Sequence, residues 1–209
     1  MTHFLPLMFA AVVGFGHAFE VDHLLAVSNI VTRRKSTWEA LRDGAYWGLG
    51  HTSTILVIGL VMILVKVGIT EQTFHYFEAG VGLMLIFLGV QRIWKTWFDE
   101  QKHQQMHAQH KPHDHRLAYG VGLVHGLAGS GALILVVMTQ IKGTLPSVLY
   151  LLIFGLGSTL GMLLASGIFS LPFSQKLNNA VLWHWRLTLL SSLLCIFFGG
   201  RVIWENLLS

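Results

Sequence analysis

Six stretches of this chain are long and apolar enough to cross a lipid bilayer, and nothing else in the sequence constrains the fold as strongly. They run roughly over 4–30, 44–66, 74–97, 117–141, 146–172 and 184–206. A helical span needs about 20 mainly apolar residues, and each window supplies that length. Only 11% of the 209 residues are charged and 53% are hydrophobic, against about 25% charged in soluble domains. The expectation is an all-α polytopic membrane protein with six transmembrane helices. The start, "MTHFLPLMF", lacks a basic leader region, so the first window is expected to be a retained helix and not a cleaved signal. The single cysteine, Cys195, excludes an intrachain disulfide and any site built on two or four cysteines.

Basic residues set orientation, because cytoplasmic connections carry an excess of Lys and Arg. Eleven of the fourteen lie in or beside three connections: Arg33, Arg34, Lys35 and Arg42; then Arg92, Lys95, Lys102, Lys111 and Arg116; then Lys176 and Arg186. Lys66, Lys142 and Arg201 fall on the other side. The basic connections are expected in the cytoplasm and both termini outside.

The halves of the chain resemble one another. "GFGHA" at 14–18 matches "GLVHG" at 122–126, "GLGHT" at 48–52 matches "GLGST" at 155–159, and "IFLGVQRIW" at 86–94 matches "IFFGGRVIW" at 196–204. The three matches keep their order at nearly constant spacing. Three spans per half is an odd number, so the halves enter the membrane in opposite senses. This 3+3 inverted repeat is a common plan of secondary transporters, whose sites lie near the midplane on interrupted helices. The expected units are 1–97, a first three-helix repeat; 98–116, a histidine-rich cytoplasmic loop; and 117–209, a second three-helix repeat. The halves are not chemically equivalent: Asp22 and His23 align with Ser130 and Gly131, and His51 aligns with Ser158.

The first window contains "GFGHAFEVDHLLAVSN" at 14–29. Each acidic side chain there costs about 3 kcal/mol at the bilayer centre on insertion scales. His, Asp and Glu without cysteine form a nitrogen and oxygen ligand set, which suits Zn, Cu, Fe or Ni. A divalent cation held among imidazoles and carboxylates would offset the expense of placing them in lipid. On a regular helix of about 100° per residue, His17, Glu20 and His23 share a face and Asp22 points away. One site holding His17, Asp22 and His23 therefore requires the first helix to be interrupted, and Gly14 and Gly16 weaken it nearby.

Other groups extend the candidate set. His51 follows "GLG" near the expected cytoplasmic end of the second span. His125 lies in the matching stretch of the second half, and Glu78 near the outer start of the third span. His3 stands close to the chain's amine. His103, His107, His110, His113 and His115 crowd the polar segment 98–116, where solvated imidazoles can hold metal weakly. This loop is expected to buffer metal outside the conduction path.

"HAFEVDH" at 17–23 has the form H-x4-D-H, which resembles the signature of the nickel/cobalt transporter family. "LGHT" at 49–52 resembles that family's histidine motif on the next helix. "HGLAGSGAL" at 125–133 is similar to its shorter, six-span branch, the nickel permeases associated with urease maturation. The resemblance implies transport of Ni2+ or Co2+, with His17, Asp22, His23 and His51 as ligand or selectivity positions. It further implies the cytoplasmic membrane of a prokaryote as location and cytoplasmic nickel chaperones or urease or hydrogenase maturation proteins as partners. Many members carry aspartate where Glu20 stands here.

No G-x4-G-K-[ST] nucleotide-binding pattern occurs. Transport is therefore expected to be secondary, and with what the resemblance implies the expected function is import of Ni2+, with no cofactor beyond the transported ion, no enzymatic activity and no nucleic-acid partner. Two alternatives stand beside it. A histidine-rich cytoplasmic loop also resembles Ni2+ and Co2+ efflux proteins. A membrane metalloenzyme with a His/carboxylate site would need a substrate cavity and an activating group that the sequence does not supply.

Overall fold

The computed structural model describes residues 4–31, 34, 36–65, 70–102, 115–128, 141, 143–171 and 181–208. Among them there are seven α-helices and no strand: α1 (Phe4–His17), α2 (Val21–Val31), α3 (Thr37–Val65), α4 (Glu71–Lys102), α5 (Arg116–Ala128), α6 (Thr144–Ser170) and α7 (Val181–Leu207). Four stretches are each long and apolar enough to cross a membrane: Thr37–Val65, Gln72–Trp97, Thr144–Ser170 and Trp185–Leu207. The pair α1–α2 passes the same test together, with a bend of 55° between its halves.

α3 starts seven residues earlier than the apolar window. The chain "STWE" at 36–39 is a capping signature, and Ser36 Oγ accepts the Glu39 N–H at 3.3 Å. Polar residues of the first turns are thus helical although too hydrophilic for a hydropathy window. The consequence is positional: His51 becomes the central residue of a 29-residue helix, about 21 Å from its start at 1.5 Å per residue. The sequence had set it near a cytoplasmic end. α4 likewise continues to Lys102, five residues past the apolar window.

The outer surface is apolar. Val12, Val57, Leu64, Leu83, Leu156, Leu160 and Phe197 are all more than half exposed, as suits helices facing acyl chains. The inside holds histidines, serines, threonines and glycines. α3 packs between α5 and α6, α4 lies along α7, and α1 lies along α6, while α2 touches all of α3 to α7. Helices in lipid associate through close van der Waals approach and side-chain hydrogen bonds, so small residues mark their contacts. A Cβ added at Gly14 would lie 2.2 Å from the Phe154 carbonyl oxygen, and one at Gly122 would lie 2.1 Å from that of Trp47. Thr52 Oγ1 donates to the Gly155 carbonyl at 2.9 Å, Thr54 Oγ1 to that of Leu123 at 3.0 Å, and Ser158 Oγ to that of Gly14 at 2.9 Å.

Among the described residues, two apolar clusters occupy the interior. One gathers Val27, Trp47, Leu85 and Met162; the other gathers Ile55, Leu151 and Phe154.

Candidate metal centre

The first span is broken at residues 18–20, one turn after the glycines. Gly14 and Gly16 themselves are helical. The chain tightens as Phe19 N–H donates to the Gly16 carbonyl and Glu20 N–H to that of His17, at 2.9 and 3.1 Å. The next helix then begins with Leu24 N–H on the Glu20 carbonyl at 2.9 Å. This reorientation removes the difficulty that a regular helix poses. His17 at the end of α1 and His23 in the first turn of α2 come to 4.5 Å between ring centroids, and Asp22 turns to the same region.

His51 of α3 and His125 of α5 complete the group. The ring of His51 stands 5.3 Å from that of His17 and 5.4 Å from that of His23. His125 lies 4.4 Å from His23. His23, His51 and His125 have no exposed surface and His17 keeps 7%. Trp47 packs on the His23 and His125 rings, and Phe154 on that of His17. Four imidazoles from four helices are therefore enclosed between two aromatic walls.

Their polar contacts are few. His17 Nδ1–H donates to Glu20 Oε1 at 2.8 Å, and His23 Nδ1–H to Asp22 Oδ1 at 3.0 Å. A carboxylate can only accept, so these bonds place the ring proton on Nδ1 and leave Nε2 with a free lone pair. Carboxylate–histidine pairs of this kind orient metal-binding imidazoles. The Nε2 atoms of His17 and His23, and both ring nitrogens of His51 and of His125, are buried without a hydrogen-bond partner. An unpaired buried polar group costs about 1–3 kcal/mol. Each neutral imidazole has one lone-pair nitrogen, so the four rings offer four unshared lone pairs in one place, which fits a cation that would accept them. Among the described residues two sets of donors lie within 4.8 Å of one another: His17, His23 and His51, and Asp22, His23 and His125.

The remaining expected residues fall elsewhere. Glu20 is in neither set but bonds His17 and is itself 56% exposed. Glu78 is half-buried on α4 and joins neither set. His3, His103, His107, His110 and His113 lie outside the described residues. His115, read in the sequence as one of the loop histidines, immediately precedes α5, with its side chain 9% exposed.

His115 belongs to a second polar cluster that the sequence reading missed. Its Nδ1 bonds Asp43 Oδ1 at 2.7 Å, and its ring stacks on Tyr46 at 4.9 Å. Arg34 holds both oxygens of the same carboxylate, through Nη2 at 2.8 Å and through Nε. Asp43 is 1% exposed. Its partners are 9 and 72 residues away, so no local pattern points to it; an aspartate beside an apolar window was the one available signal. Removing one member of a buried ion pair costs about 3–5 kcal/mol. Asp43→Ala is therefore expected to lower the thermal unfolding midpoint of the purified protein by several degrees. An unshifted midpoint would show that the cluster holds nothing together.

The chain is 35% identical over 171 residues to the urease accessory protein UreH of Bacillus sp. (strain TB-90), an alignment spanning 78% of this chain and 75% of that protein. No protein-family model and no solved structure matches it.

Proposed function

Because this chain belongs to the family of the urease accessory protein UreH, we propose that it is a membrane permease that imports Ni2+ for urease maturation, with the enclosed histidine cluster as its ion site. One observation carries the reading: six ring nitrogens from four helices lie buried and unbonded together, midway along the long apolar helix α3. A soluble metal store would not need that depth. The donor set, imidazoles with one carboxylate, suits Ni2+, and Co2+ as a second cargo. His17, His23 and His51 bind the ion with Asp22 beside them, and Glu20 orients His17.

The same reading takes the chain as a 3+3 inverted repeat, with units 1–97 and 117–209 joined by the histidine-rich segment 98–116. Support comes from contacts that recur in exchanged form. Gly14 meets the Phe154 carbonyl as Gly122 meets that of Trp47. Gly48 faces Thr159 as Gly155 faces Thr52, and Gly59 meets Leu151 as Gly44 meets Ser166. Shifting each residue by the spacing of the sequence matches turns the first contact of each pair into the second. Thr52 and Thr159, equivalent under that shift, touch at 3.1 Å, where a two-fold axis would pass. The basic connections face the cytoplasm of a prokaryotic cell, both termini lie outside, and His103, His107, His110 and His113 buffer the arriving ion. Delivery continues to nickel chaperones or urease maturation proteins.

Accumulation of ⁶³Ni in cells expressing the chain tests function and direction together. Import predicts more cell-associated nickel than in the control at low external concentration. Accumulation below the control would make the protein an exporter. No change with nickel beside a change with cobalt would reassign the cargo.

A further inference from the structure

The two donor sets share one residue, and they differ in charge. His17, His23 and His51 are three imidazoles; Asp22, His23 and His125 include a carboxylate. Donors on one transition-metal ion sit about 3–4 Å apart, given metal–nitrogen distances near 2.1 Å. Among the described residues, each set comes within reach of that spacing by itself, whereas the five residues together form no single group. One ion cannot use all of them at once.

We infer that His125 closes a second ion position, Asp22–His23–His125, and that a divalent cation steps to it from His17–His23–His51 without leaving His23. This rests on the reading of the cluster as a cation site. His125 is placed for the role by its helix. Gly122 and Gly126 bring α5 against the Trp47 and His51 carbonyls of α3, where a Cβ would stand 2.1 and 2.6 Å from the oxygens. The ring of His125 then lies 4.4 Å from that of His23, inclined by 31°. Its Nε2 is 3.6 Å from Asp22 Oδ2, too long for a hydrogen bond but suited to two ligands of a common ion. Both of its nitrogens lack a hydrogen-bond partner, so neither is committed elsewhere.

The step is a ligand exchange with no change of oxidation state. His23 stays bound through Nε2 while the imidazoles of His17 and His51 dissociate; Asp22 lets go of the His23 Nδ1–H, whose proton stays on that nitrogen, and swings with His125 onto the ion. At no point does a bare ion face the apolar walls of Trp47 and Phe154. The movement carries the ion from donors of the first half to one contributed by the second half of the chain, the relation an alternating mechanism requires.

Equilibrium ⁶³Ni binding and proteoliposome uptake, on full-length protein reconstituted in lipid, separate two positions from one. The variants are His51→Gln, His125→Gln and the double substitution, with glutamine retaining most of the volume. Each single variant should still hold one ion, because the other set is intact. The double variant should lose affinity by about 100-fold or more relative to either single variant. His125→Gln should also stop uptake while binding persists. Uptake at the unaltered rate in His125→Gln, or a binding loss in that single variant as deep as in the double, overturns the second position. A wild-type protein that binds no nickel overturns the underlying reading instead. If His125→Gln does not assemble, His125→Asn serves in the same comparison, and the same outcomes apply.

Discussion

Replacing His23 by alanine is expected to abolish nickel uptake at every external concentration, a loss of at least about 100-fold in initial rate. His23 is the residue both donor sets contain, and its Nδ1 is fixed by Asp22 so that Nε2 faces the enclosed space. Losing it leaves two donors in either set, too few to replace the water of a transition-metal ion. His17→Ala and His51→Ala each leave the Asp22–His125 side intact and should retain measurable binding. The check is ⁶³Ni uptake into proteoliposomes, with insertion of each variant confirmed. Substantial uptake by His23→Ala would remove the histidine from the path.

Gly122→Ala should damage the protein severely although it adds one methyl group. The new Cβ would stand 2.1 Å from the Trp47 carbonyl oxygen and 2.9 Å from the His51 nitrogen. Both are backbone atoms of a long helix and cannot rotate aside, so α3 and α5 must separate. Overpacking of this kind costs about 1–3 kcal/mol, and a displacement near 1 Å at a positioned group can cost about 100-fold in rate. The separation would carry His125 away from His23. Gly120, on the same helix, has nothing within 4 Å of an added Cβ, so Gly120→Ala is the matched control. Thermal midpoint and uptake should both fall for Gly122→Ala and neither for Gly120→Ala. Equal behaviour of the two would mean that α5 is not held where the site needs it.

Much of this arrangement was legible in the sequence, and the reasons differ by element. The apolar windows at 44–66 and 146–172 correspond to the long helices α3 and α6 because lipid-facing helices are apolar over their whole length. The acidic and histidine residues at 17–23 signalled a break because a regular helix cannot aim His17, Asp22 and His23 at one ion. The glycines suggested where the break falls only to within a turn: Gly14 serves the approach of α6 instead, and the chain turns at 18–20. His51 was set too shallow because hydropathy does not register a capped polar turn such as Ser36–Glu39. The place of His125 beside His23 was not legible, since it depends on how closely α5 meets α3. The bond of His115 to Asp43 spans 72 residues, and only the folded chain brings those two together.

Transport through this site requires a metal ion at Nε2 of His23. Crystals of the full-length protein grown with Ni2+ and measured at the nickel absorption edge would place the ion directly. An anomalous peak is expected about 2 Å from that nitrogen, with either His17 and His51 or, once Asp22 has left the His23 Nδ1–H, Asp22 and His125 as the other protein donors. A peak only elsewhere, with Nε2 of His23 and the ring nitrogens of His51 still unbonded, would show that the ion does not use this site.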